Sequence, residues 1–147
     1  MYTTIKILHS YWAYLVVLVV FLATINALYK YFTNKPYDAK DFRISLFALI
    51  VSHIQLLIGI LVYILSPYTK QIGELGMGEV MKDANLRLYV IEHPITMILT
   101  IVFITIGYSK HKKKAVSKPK FKLLSIFYSI AFILLVSRIP WKAWLGI

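Results

Sequence analysis

Four histidines, His9, His53, His93 and His111, and one arginine, Arg138, are the side chains that could do chemistry within an otherwise apolar sequence. A neutral imidazole is a ready metal ligand. Two of them on different helices at similar depth supply what a b-type haem needs: two axial ligands beside an apolar slot for the ring. A guanidinium pairs with carboxylate in a fork, which makes Arg138 a partner for a haem propionate. Cysteine is absent, so disulfides, thiolate zinc sites, iron–sulfur clusters and covalent c-type haem attachment are excluded. There is also no glycine-rich phosphate loop, no Ser, His, Asp grouping and no pair of intramembrane carboxylates, which removes hydrolytic and pump-like chemistry.

The elements that must position these residues follow from composition. With 59% hydrophobic and 16% charged residues in a chain of 147 and a mean hydropathy of +0.70, the sequence is too apolar for a soluble domain. Four segments reach the roughly 20 apolar residues needed to span a bilayer: 8–29, 44–65, 88–108 and 123–144. These form a single all-α domain over 1–147, in which short links make successive spans antiparallel neighbours. Residues 66–87, rich in Gly, Glu and Lys, read as an exposed loop with one short surface helix.

Lysine and arginine orient the bundle. The link after span one holds Lys30, Lys35, Lys40 and Arg43, and the link after span three holds seven lysines between Lys110 and Lys122 without an acid. Positive short loops stay cytoplasmic, so both termini and the middle loop face outward. The net charge of +11 is then explained by inner loops beside an anionic leaflet rather than by nucleic acid, for which no soluble module exists. Span one is too long for a signal-peptide core and lacks a small-residue cleavage site after it, so the N-terminal segment is expected to stay as a helix.

Helical spacing decides which histidines face inward. The face shared with His9 carries Ala13, Val16, Val20, Ala23, Thr24 and Ala27, small residues suited to close packing. That of His93 carries Tyr89, Thr96, Met97, Thr100, Ile104 and Gly107. On span two the polar stripe is Ser45, Ser52, Gln55, Gly59, Tyr63 and Ser66, and His53 lies about 100° away from Ser52, at a helix–helix seam. Depth places His9, His93 and Arg138 together in the outer half and His53 near the midplane. His111, in "KHKKK", reads as part of a solvated basic loop, and Trp12, Trp141 and Trp144 read as an aromatic belt. Glu92 points away from His93 and has no evident role. Pro94 costs few hydrogen bonds near the outer end of its span and kinks the start of the helix.

The pieces "LHSYWAYLVV", "SLFALIVSHIQLLIGILVYILSP", "RLYVIEHPITMILTIVFITIGYSKHKK" and "FYSIAFILLVSRIPW" resemble a family of small four-span proteins of Bacteroidota labelled cytochrome b or cytochrome b-like, over nearly the whole chain. More distantly the architecture is similar to the HemJ, SirB and CopD group of four-helix membrane haem proteins. In the HemJ type, a histidine early in span one and a residue near the start of span three are haem-associated, which implies His9 and His93 here. The chain reads "YVIEHP" and "SRIP" where the HemJ type has Trp-Leu-His-Lys and Asn-Glu-x-Pro, a departure from the porphyrinogen oxidase pattern.

Together these readings give an expectation: an integral membrane four-helix bundle, left-handed and antiparallel, in the bacterial cytoplasmic membrane with periplasmic termini. It would carry electrons through haem b. His9 and His93 are the expected iron ligands, Arg138 the propionate partner, and His53 a replacement ligand or neighbour. Expected partners are the lipid bilayer, a quinone or another membrane redox protein, and further copies of the chain. The alternatives are a HemJ-like protoporphyrinogen oxidase and a haem-free structural or assembly subunit.

Overall fold

The computed structural model describes residues 1–146, and these are helical almost throughout, with no strand among the described residues. Helix α1 spans Tyr2–Phe32 and α2 spans Ala39–Leu65. A capping box starts α2: the Asp38 side chain accepts from the N–H of Asp41, and the Asp41 side chain accepts from the N–H of Asp38. Pro67 stops it, because the residue before a proline is pushed out of the α region. Ser66 accordingly sits at ψ 136°, and its hydroxyl caps the next helix by accepting from the N–H of Tyr68.

Three short helices follow, α3 (Pro67–Leu75), α4 (Met77–Lys82) and α5 (Ala84–Arg87). The segment expected to be an exposed loop with one short helix therefore holds three, folded over a small core of Val80, Leu86 and Val90. A π-helical turn, Leu88–Glu92, then runs into α6 (His93–Lys112). Helix α7 (Ser117–Ser137) and the short α8 (Trp141–Leu145) complete the described chain.

Four stretches are long and apolar enough to cross a membrane: Tyr2–Phe32, Ala39–Leu65, Ala84–Lys112 and Ser117–Ser137. The sequence carries the fourth span on to Trp144, but the helix ends at Ser137. Pro140 explains the stop, since it disfavours helix at Ile139 and has no N–H for the Val136 carbonyl. The indole of Trp141 donates to that carbonyl instead, at 2.9 Å. Pro94 is handled in the same way: the Val90 carbonyl, without its usual donor four residues on, accepts from the Tyr63 hydroxyl at 3.2 Å. Pro94 and Pro140 thus each leave a carbonyl that an aromatic side chain fills.

In cross-section α1 packs against α2 and α7, and α6 packs against the same two helices, so α1 and α6 face each other diagonally. The core is Val16, Val20, Ala23, Ala48, Ile104 and Tyr128 with their neighbours. Small residues let the backbones approach: a Cβ added to Gly107 would lie 2.6 Å from the Cβ of Phe127 on α7. Large apolar side chains such as Leu22, Leu57, Ile98 and Ile133 point out of the bundle, which is the arrangement a lipid surround requires.

Candidate functional site

The diagonal placement of α1 and α6 brings His9 and His93 face to face near one end of the bundle. Their ring centroids are 6.2 Å apart and their planes lie nearly perpendicular, at 84°. The faces assigned from helical spacing are those buried: Val16, Val20, Ala23, Thr24 and Ala27 below His9, and Thr100, Ile104 and Gly107 below His93.

The two imidazoles are held differently. His93 Nδ1 lies 2.8 Å from the carbonyl oxygen of Arg138. A carbonyl can only accept, so the proton is on Nδ1 and Nε2 keeps its lone pair. His9 Nδ1 is buried and has no hydrogen-bond partner. Its ring rests against α2 at Gly59, where an added Cβ would come within 3.2 Å of His9 Cε1. Gln55 holds the backbone beneath it, donating to the His9 carbonyl at 2.9 Å. A buried polar atom without a partner is costly and uncommon, and at His9 it belongs to a potential ligand.

Arg138 contributes through its main chain more than through its guanidinium. It ends α7, and the guanidinium faces Glu92, with Nε 3.5 Å from Oε2. Glu92 also pairs with Arg87, at 2.8 Å. The reading of Glu92 as a residue with no evident role is therefore corrected: it is the acid that faces Arg138 from the neighbouring span. The π turn is the reason: its extra residue per turn brings Arg87 and Glu92, five apart, onto one side. Two guanidiniums around one carboxylate leave one positive charge over, beside His93.

His53 lies elsewhere. Its Nδ1 donates to the Leu49 carbonyl at 2.8 Å, and its Nε2 is 3.5 Å from Thr105 Oγ1 on α6. Thr105 is twelve residues beyond His93, about 18 Å along the helix, so the structure does not bring His53 to the His9–His93 pair. His111 is not solvated: it is fully buried, donating from Nδ1 to the Tyr108 carbonyl and accepting at Nε2 from the Tyr37 hydroxyl at 2.9 Å. The signal for this was its position four residues after Gly107 and seven after Ile104, on the buried face.

Sequence reasoning also missed Asp41, which is 1% exposed. Its carboxylate accepts from Asn26 at 2.9 Å, Lys30 at 2.8 Å and the Asp38 N–H at 2.9 Å. The spacing of Asp38 and Asp41 as a capping box was the available sign. Trp12 and Trp144 are more than an aromatic belt, since their indoles donate to the carbonyls of Val51 and Ser10.

Among the described residues no group of three or more His, Asp or Glu side chains could hold a metal ion. The histidine pair can therefore supply two ligands and no more, so any metal there needs its remaining ligands from elsewhere, as a porphyrin provides. Fold and composition define a multi-pass helical membrane protein. No family model, curated protein or solved structure matches the chain.

Proposed function

We propose that the protein binds haem b between His9 and His93 and transfers electrons in the bacterial cytoplasmic membrane. The observation that carries this reading is the separation of the two rings, 6.2 Å between centroids. Two metal–imidazole bonds of about 2 Å each, added to the distance from each nitrogen to its ring centre, span close to that length. The residues fit the group in further respects. The Arg138 carbonyl fixes the His93 tautomer and leaves Nε2 free to ligate, the usual outer-shell arrangement for a metal-bound histidine. His9 makes no side-chain hydrogen bond that would compete with a ligand, its buried Nδ1 being unpartnered, and the positive charge left around Glu92 suits a propionate. When bound, haem supplies one-electron chemistry, and the protein tunes its potential through the axial imidazoles, burial and nearby charge.

In this reading the four spans are antiparallel, with the lysine-rich end in the cytoplasm and the histidine pair toward the periplasm. Electrons would pass to or from a quinone or a membrane redox protein.

The test is a dithionite-reduced minus oxidised spectrum of the detergent-purified protein after expression with ample haem. A sharp b-type α band, lost in both His9→Ala and His93→Ala and kept in His53→Ala, is the expected result. No chromophore in the unaltered protein would refute the proposal. It would favour a haem-free subunit, in which the near-perpendicular histidine contact is ordinary packing. If the band is present, turnover of protoporphyrinogen would reassign the protein as an oxidase.

A further inference from the structure

At the end of the bundle remote from the histidine pair, the start of α2 and the lysines of α6 and α7 bound an open cleft of about 470 Å³. It is lined by Tyr37, Asp38, Ala39, Phe42, Lys112 and Lys120. Its charges do not balance. Asp38 is committed to the start of α2, accepting from the N–H groups of Lys40 and Asp41, and lies 3.6 Å from the Lys30 ammonium. Lys112 and Lys120, by contrast, have no carboxylate within ion-pair distance among the described residues.

Both ammoniums lie over aromatic rings. Lys112 lies 4.9 Å from the ring centre of Tyr108 and Lys120 4.7 Å from that of Tyr37. Lys120 also donates to the His111 carbonyl at 3.2 Å. Those rings pack against His111, itself fully buried, so the platform beneath the two charges is fixed. The cleft sits where α2 begins and α6 ends, the level at which apolar span gives way to polar chain. Phe42, one of its walls, is exposed and apolar.

We infer that this cleft seats the phosphodiester headgroup of an anionic phospholipid, with the phosphate on Lys112 and Lys120 and the first acyl carbons along Phe42. Basic pockets between membrane helices select anionic headgroups because two fixed cations replace the phosphate's hydration at a surface already rich in lipid. The lysines of 113–118 are outside the cleft lining and add only diffuse attraction.

Native mass spectrometry of the delipidated full chain in detergent, titrated with phosphatidylglycerol, tests this. Lys112→Ala/Lys120→Ala should weaken binding about tenfold, and the equally discharged Lys113→Ala/Lys114→Ala by no more than about twofold. Lys112→Arg/Lys120→Arg should restore it. The exposed Lys112→Ala alone, which leaves the His111 platform intact, should still show a loss of about threefold. Equal losses in the two alanine doubles would overturn the site in favour of diffuse charge. Binding of soluble glycerol phosphate as tight as that of the lipid would overturn a lipid source, and equal binding of phosphatidylcholine would overturn selection by charge.

Discussion

Replacing Asp41 by asparagine should cost the fold about 3 kcal/mol. The Asp41 side chain is fully buried, and its Oδ2 accepts from both the Lys30 ammonium and the Asp38 N–H. Asparagine keeps the shape and one acceptor for Asn26, but its amide N–H₂ turns donors toward donors, so two hydrogen bonds are lost. Hydrogen bonds to charged groups contribute about 1.5–3 kcal/mol each, and breaking a buried pair costs about 3–5 kcal/mol. Lys30 is 18% exposed and can turn its charge to water, which places the expected loss at the lower end of that range. For a chain of this size, about 2–4 °C per kcal/mol gives a fall in Tm of about 6–12 °C by circular dichroism in detergent. Lys30→Met alone should also destabilise, while Lys30→Met/Asp41→Asn should recover more than about 1 kcal/mol relative to the sum of the single changes. A Tm for Asp41→Asn within about 1 °C of the parent would refute the reasoning, because it would mean that the carboxylate is hydrated and the start of α2 frayed.

Other perturbations test separate parts of the bundle. Gly107→Ala forces a methyl against the Phe127 Cβ and should destabilise by about 1–3 kcal/mol in the same melts. Tyr63→Phe strips the Val90 carbonyl of its donor and should cost about 0.5–1.5 kcal/mol, with faster amide exchange confined to the π turn and the first turn of α6. Burial first, and then the Asp41 carboxylate, push the Tyr37 hydroxyl up to about 12 from about 10 when unfolded. The unfolded chain therefore releases this proton first, and stability from Tyr37 is intact below about pH 10 and declines toward pH 12. Tyr37→Phe should flatten that alkaline decline relative to the parent, and an unchanged slope would refute the assignment.

Much of the fold was legible because spans two and three, and most of span one, are governed by one signal, apolar length broken by charge. Their inward faces were legible because small residues recur at helical spacing around His9 and His93. What was not legible depended on backbone events that periodicity does not carry. The break of α7 turns on Pro140 and on Trp141 being at hand to fill a carbonyl. The π turn before His93 shifts the phase of the helix, so a face drawn with uniform 3.6-residue spacing sends Glu92 away from Arg87. His111 and Asp41 were obscured by their neighbours: each lies among charges that mark a membrane surface, although each is itself buried. Local charge density reports where a segment lies, and it reports poorly on the one residue within it that turns inward.

The bond from His93 to Arg138 ends at a main-chain oxygen, and every amino acid has one. Side-chain scanning would therefore pass over it: alanine, lysine or glutamine at position 138 would leave the acceptor where it is, and any effect of those changes would report the charge beside Glu92 rather than the orientation of His93. Sensitivity should appear instead at Pro140 and Trp141, which set where α7 stops, and in any insertion or deletion that moves that stop by a residue. The orientation of His93 is thus specified by the length of a helix on the neighbouring strand of chain, a property that a table of single substitutions does not record.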